Sequence, residues 1–396
     1  MAKKTSKKKD VPLDSETYPF SFWDTLDRSI SNQPTRIRPD INLYPSEASA
    51  KIKNEYDEDL IIGGCIRKSW FRAMIQRMEA TNVKPNLDHV LAAEPFTPKE
   101  LWKFSLSKYA EIAITDESKR AQIYETNSFR FKWELPFPYK ALKPVISGEL
   151  DLAVAIPIDK DYKLPTPSNE QTIDDNSELI KSSNIVGIEI KSISGYKGPR
   201  QVFGVKSKKG HWISLPEPKP EHLLQSILYH MYFCILKKEY KYWKLAYINR
   251  ENGERKEFDI DLVKEKVANG KYLHRVYVDR QPYKYVLYAE HILQRYQELH
   301  KHLELETLPE RDFNLYYSQD KIALLAERKL LAKQDMELFT KGKKVKKGDW
   351  NCSYCPFKGI CYEPNGTPRE LTKLDISDLE KINLISEESD EEQSSE

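Results

Sequence analysis

The 396-residue chain has no apolar run approaching the roughly 20 residues needed to cross a bilayer. Its opening MAKKTSKKKD is basic, but no apolar stretch follows it, so no secretory leader is expected. Glycine (14) and proline (23) are too scarce for a collagenous or low-complexity protein. There is no internal repeat of the kind that builds solenoids. An excess of one charge is also missing: Lys+Arg 63 against Asp+Glu 61 leaves a formal net charge of +2. That balance excludes a histone-like positive coat but leaves room for a local basic groove. The expectation is a soluble cytoplasmic protein with no membrane partner, working on or near the nucleoid.

What is present is polar for a globular protein, with 39% hydrophobic residues, 31% charged residues and a mean hydropathy of −0.67. A chain of this length still buries a substantial core. Residues 1–19 read as a basic disordered tail and 376–396, ending ISEESDEEQSSE, as an acidic one. Residues 20–375 are the expected folded domain. Helical spacing runs through 64–80 and 98–124, with Pro98 suited to a first turn. FRFKWELPFPY, VISGELDLAVAIP and IVGIEIKSI read as strands. The polar residues 159–184 between the last two read as a mobile loop insertion. Then come a helix EHLLQSILYHMYFCILKK, a hairpin turning at Asn252-Gly253, and helices near 286–304 and 319–339. That order predicts an α/β fold with a mixed central sheet flanked by helices.

Two constellations carry chemistry. In SGELDLAV, Asp151 follows Gly148 by three residues on an apolar strand, and IVGIEIK later presents Glu189 and Lys191. Period-two geometry puts Glu189 and Lys191 on one face and Val186, Ile188 and Ile190 on the other. Two carboxylates from paired strands suit a hard divalent cation, and a lysine beside them can orient or deprotonate a water and stabilise charge on a phosphate. Glu-x-Lys alone is common as a surface ion pair; the added G-x-x-D makes the set more specific. On the next helix His222, Gln225, Tyr229 and Tyr232 share a stripe beside the apolar stripe of Leu224, Ile227, Leu228, Met231 and Ile235. On spacing alone, the edge of the core is the plainer account of Tyr229 and Tyr232.

The second constellation is cysteine. Cys352-x2-Cys355-x5-Cys361 supplies three thiolates, and Cys65 is the only plausible fourth, because Cys234 lies in an apolar helix as a small hydrophobe. Four thiolates suit a structural Zn²⁺ or an iron–sulfur cluster, and spacing does not separate the two. Either would staple residue 65 to the far end of the chain.

Taken in order, Cys65-Ile66-Arg67, G-x-x-D, E-x-K, Q-x3-Y and C-x2-C-x5-C resemble the RecB-like PD-(D/E)XK nucleases over roughly residues 60–362. The likeness is to their iron–sulfur branch: CRISPR-associated RecB-like exonucleases, AddB-type nuclease domains and exonuclease V. The resemblance implies a restriction-endonuclease-like core closed by a four-cysteine metal cluster. It implies Mg²⁺ or Mn²⁺ held by Asp151, Glu189 and the Ile190 carbonyl, and Lys191 as the active-site lysine. Gln225 and Tyr229 would contact DNA and brace the site. Cys65, Cys352, Cys355 and Cys361 would hold [4Fe–4S], with Zn²⁺ as the alternative. Glu111 in SKYAEIAI best fits the family's first motif, as a further catalytic and metal ligand, with His89 as competitor; Glu149 could be an acid behind the site. Two departures are the long loop before Glu189 and Ile66 where proline is usual.

The implied activity is metal-dependent hydrolysis of DNA phosphodiesters by a single-strand-preferring exonuclease in recombination, repair or phage DNA processing, acting on free ends and working with a recombination or helicase protein. The alternative is a non-catalytic or conditionally active DNA-binding subunit of a recombination or spacer-acquisition complex. Lys197, Arg200, Lys206, Lys208, Lys209 and the Lys341–Lys347 run, with Trp212 and Trp350, could line a single-strand channel. For any one of these lysines, a solvated loop is the plainer expectation.

Overall fold

The computed structural model describes residues 42–80, 130–134, 145–157, 183–305 and 307–369, with helical turns at 102, 105–110, 112–114 and 116. The two expected tails, nearly all of the 159–184 insertion, and Glu111 and His89 lie outside the described residues.

The centre is a six-stranded sheet of mixed direction. β6 (Leu152–Pro157), β7 (Ser183–Ile193), β10 (Tyr242–Asn249), β11 (Arg255–Lys266), β12 (Tyr272–Val278) and the short β13 (Gln281–Pro282) lie side by side in that order. β7 and β10 run parallel, with Glu189 opposite Leu245 and Lys191 opposite Tyr247; every other pair is antiparallel. The β10–β11 hairpin turns at Asn252-Gly253, where Gly253 takes φ +71°, a conformation open to glycine at little cost. β12 adds a strand that the sequence pattern does not announce. The protein is thus α/β with a mixed sheet flanked by helices.

Alternation along β7 separates two apolar environments. Val186 and Ile190 pack with Leu152, Val154, Ile188 and Ile114 on one face. The other face belongs to the main core, where α3 (Pro220–His230) lies over β10 and β11. Pro220 opens α3 at a position whose amide would be unpaired anyway, and Lys219 before it is extended as a residue preceding proline must be. The apolar helix continues as a π segment, Met231–Leu236, in which Lys237 N–H reaches back five residues to the Tyr232 carbonyl (2.9 Å).

That segment carries Phe233 into an aromatic stack. Phe233 lies parallel to Tyr240 (4.7 Å between centroids) and to Trp243 (6.1 Å), and Trp243 stacks on Tyr229 (5.6 Å). Trp243 fits only because residue 187 is glycine: a Cβ there would come within 2.2 Å of the indole ring.

Three smaller parts complete the fold. β1 (Asn42–Leu43), β4 (Arg130–Glu134) and β5 (Val145–Glu149) form a second sheet, and β2 (Ser49–Lys53) pairs with β3 (Asp59–Gly63). α1 (Ile66–Ala80) packs against α4 (Ala289–Glu304), whose Ile292, Tyr296, Leu299 and Leu303 are buried. The expected helix over 319–339 is two, α5 (Gln319–Glu327) and α6 (Lys333–Thr340), parted where Lys329 takes φ +56°. Short helices α7 (Trp350–Ser353) and α8 (Lys358–Cys361) carry the C-terminal cysteines.

Gly187→Ala is expected to destabilise the protein by about 1–3 kcal/mol, since the core must shift to admit the methyl. Thermal melting checks this, and a changed Trp fluorescence spectrum should accompany the loss.

Candidate active site and cysteine centre

Asp151 sits at a discontinuity. VISGELDLAVAIP, expected as one strand, breaks at Leu150–Asp151: β5 pairs with β4 and β1, whereas β6 belongs to the central sheet. Glu149 therefore ends one sheet while Asp151 opens the other, and they share no strand face. Freed from the ladder, the Asp151 carboxylate accepts the Ile190 N–H through Oδ2 at 2.8 Å. This pins it beside the residue lying between Glu189 and Lys191.

Glu189 is 1% exposed, and its Oε1 accepts from the Lys191 ammonium and from Gln225 Nε2 (2.7 Å). The stripe on α3 thus turns toward the acidic site. Gln225 Nε2 is 3.4 Å from the Tyr229 hydroxyl, which donates to the Glu149 carbonyl at 3.1 Å. Tyr229 is 2% exposed and belongs to the core as well as to this chain of hydrogen bonds, so its hydroxyl braces the end of β5. Burial, then the Glu189 charge, push its phenol well above the ordinary range.

The charges around Asp151 oppose each other, and burial wins. It raises the carboxyl above its usual value against the pull of Lys191, the Ile190 amide and Lys108, while Glu149 pushes upward too. Lys108 was not singled out from the sequence; its signal was its place one helical turn before Glu111. His222 completes the rim, its Nδ1 3.1 Å from the Tyr247 hydroxyl. Burial, followed by Lys191 and Lys219, holds His222 well below the usual imidazole range, so it is neutral at physiological pH.

The cysteines meet at a second place. Cys65, Cys352, Cys355 and Cys361 line one small pocket with Phe71 and Phe357, whose rings lie tilted at 37° with centroids 5.1 Å apart. Cys234 lies apart, half-buried in the π segment against the core. Burial pushes the Cys65 thiol up to about 12, with the Asp312, Cys355 and Cys361 charges adding to it, and Cys352 likewise to about 12. Cys355 and Cys361 are raised by burial also. Cys65 is held just before α1, where Asp312 Oδ2 accepts the Ile66 N–H at 2.7 Å.

Among the described residues no three His, Cys, Asp or Glu side chains stand in metal-ligand geometry. The donor chemistry nonetheless fits both groups that the motifs imply. Carboxylates from two neighbouring strand segments suit a hard divalent cation, and four thiols lining one pocket suit a tetrathiolate centre.

Cys65→Ser is expected to lose bound metal and to melt about 10 °C lower or more, since a structural metal contributes several kcal/mol to folding. Elemental analysis and melting check it; unchanged metal and melting temperature would refute the four-cysteine centre. In EDTA, Asp151→Asn is expected to stabilise the protein at pH 7 by about 0.5–2 kcal/mol. The raised folded pKa means that the charged carboxylate opposes folding above that pKa, and the opposition vanishes below the unfolded value of about 3.9. Calorimetry should therefore find the gain at pH 7 and lose it near pH 3.5; a lower melting temperature at pH 7 would count against it.

No protein-family model and no curated protein matches the chain. Among solved structures, the crystal structure of SSO0001 is similar to it over 88% of this chain and 99% of that one, at 10% identity and a TM-score of 0.33, a likeness too distant to say what the chain binds or does. No helix among the described residues is long and apolar enough to cross a membrane.

Proposed function

We propose that the protein is a metal-dependent deoxyribonuclease of the PD-(D/E)XK type, hydrolysing DNA phosphodiester bonds as a single-strand-preferring exonuclease in recombination, repair or phage DNA processing. One observation carries the reading: Asp151, the Glu189–Lys191 pair and Gln225, from three separate segments, meet where β6 begins beside β7. There Ile190 N–H holds Asp151, and Gln225 and Lys191 both hold Glu189. A buried carboxylate costs stability unless its partners offset the lost hydration, so such a cluster favours a working site over an incidental one.

In this reading Asp151, Glu189 and the Ile190 carbonyl would hold Mg²⁺ or Mn²⁺. When bound, the cation supplies Lewis-acid stabilisation of negative charge on the phosphate. The protein's own groups do the rest. Lys191 places a positive charge where negative charge develops on the phosphoryl oxygens and orients the attacking water. That water's oxygen forms the new bond to phosphorus, the bond to the leaving oxygen breaks, and a proton ends on the leaving oxygen. Gln225 fixes the Glu189 rotamer, and Tyr229 holds the end of β5 so that Asp151 keeps its position. Cys65, Cys352, Cys355 and Cys361 would hold a [4Fe–4S] cluster, or Zn²⁺, as a structural staple.

The test is cleavage of end-labelled single- and double-stranded DNA with Mg²⁺, Mn²⁺ or EDTA, beside Lys191→Ala. Cutting that needs the cation and falls at least about 100-fold in the variant is expected, with DNA binding retained. Cutting by Lys191→Ala at the wild-type rate would overturn the mechanism. A folded, metal-loaded, DNA-binding protein that never cuts would favour the non-catalytic subunit.

A further inference from the structure

The connection between β7 and α3 is longer than joining them requires, and most of it is free of acid. From Gly195 to Pro216 it reads GYKGPRQVFGVKSKKGHWISLP, with Lys197, Arg200, Lys206, Lys208 and Lys209 and neither Asp nor Glu, in a chain whose charges otherwise balance at 63 against 61. It folds as a short helix, α2 (Lys197–Val202), and a hairpin of β8 (Val205–Lys206) and β9 (Trp212–Ser214). The turn is closed by Gly210 N–H on the Ser207 carbonyl (2.9 Å) and Ser207 N–H on the His211 carbonyl (2.7 Å).

While Val202 anchors it in the core, four of its apolar side chains face outward. Tyr196 is 73% exposed, Trp212 46%, Ile213 67% and Leu215 65%. Each exposed ring has a cation over it: the Arg200 guanidinium 4.7 Å from the Tyr196 centroid, and the Lys206 ammonium 4.4 Å from that of Trp212. Trp212 is also held in place. Gly204, at φ +72°, lies so close beneath it that a Cβ would come within 2.7 Å of the indole.

The stem is tied down beside the candidate active site. Glu217 N–H donates to the Gln201 carbonyl (2.9 Å), and Gln201 Nε2 donates to the Pro218 carbonyl (3.4 Å). Glu217 also pairs with Lys284. Lys219 N–H then meets the Tyr247 hydroxyl (3.1 Å), which also contacts His222.

Resting on the nuclease reading, we propose that this acid-free hairpin docks single-stranded nucleic acid at the mouth of the site, its lysines and Arg200 on phosphates and unpaired bases stacked on Trp212 and Tyr196. A fixed, exposed ring flanked by cations matches a strand whose base faces are open and whose backbone is anionic. A duplex hides those faces, so the ring distinguishes the two.

The experiment measures binding of the full-length protein, in EDTA, to a fluorescein-labelled oligothymidylate of about 20 nucleotides and to a duplex of the same length, by anisotropy over a salt series. Trp212→Ala is expected to bind the oligothymidylate roughly 5- to 150-fold more weakly, with Trp212→Phe near wild type and duplex binding little changed. A Lys208→Glu/Lys209→Glu protein should weaken both ligands and flatten the salt dependence. With Mg²⁺, Trp212→Ala should raise KM and leave kcat intact. Wild-type affinity in Trp212→Ala, an equal loss on both ligands, or no oligothymidylate binding by the wild-type protein would each overturn the inference. Cleavage by wild type with no effect of Trp212→Ala would sink the hairpin's role alone. Trp212-dependent binding without cleavage in any metal would sink the nuclease reading and leave the docking hairpin standing.

Discussion

The buried carboxylate of Asp312 ties together parts of the chain that lie far apart in sequence. It is 7% exposed and accepts from the Arg295 guanidinium through both oxygens at 2.6 Å, while Oδ2 also takes the Ile66 N–H. Arg295 in turn contacts Ser49 Oγ at 3.3 Å and Glu298. One charge pair therefore links β2, the start of α1, the middle of α4 and the segment leading to the C-terminal cysteines. Burial still keeps the Asp312 carboxyl above its usual value, so Arg295 offsets only part of the lost hydration. Such a pair adds little net stability when intact, yet losing one partner strands the other at about 3–5 kcal/mol. Its value is positional: it sets where Cys65 stands.

The candidate active site has a comparable foundation in packing. Glu189 and Lys191 lie on the strand face shared with Gly187, and the space glycine leaves is filled by Trp243. Trp243 stacks on Tyr229, whose hydroxyl reaches the end of β5, one residue before the break that releases Asp151. The acid positions thus depend on an indole seated behind the strand that carries them.

Much of this was legible in the sequence, for reasons specific to each element. The alternation in IVGIEIKSI placed Glu189 and Lys191 together, and the alternate residues do feed a separate apolar cluster. The pairing of Gln225 with Tyr229 followed from helical spacing, but the direction of that stripe did not; only the sheet beneath α3 aims it at Glu189. The break at Leu150–Asp151 was hidden because apolar alternation runs unbroken through SGELDLAV, and strand partners in two different sheets impose it. The π register near Phe233 had no signal either, since stacking against Tyr240 and Trp243 is a tertiary demand. Cys65 was found by elimination, whereas Asp312, which positions its neighbour, resembles any other surface acid in sequence.

The separation of Cys65 from Cys361 also orders events on the ribosome. Everything that shapes the acidic site up to Tyr229 emerges more than a hundred residues before Cys361. At a synthesis rate of about 5–20 residues per second, the nascent chain spends on the order of tens of seconds with Cys65 made and Cys352, Cys355 and Cys361 not yet made. A lone thiol waiting that long is open to oxidants, so under the proposed four-cysteine centre the supply of metal and of reducing power during translation would govern how much protein is correctly closed.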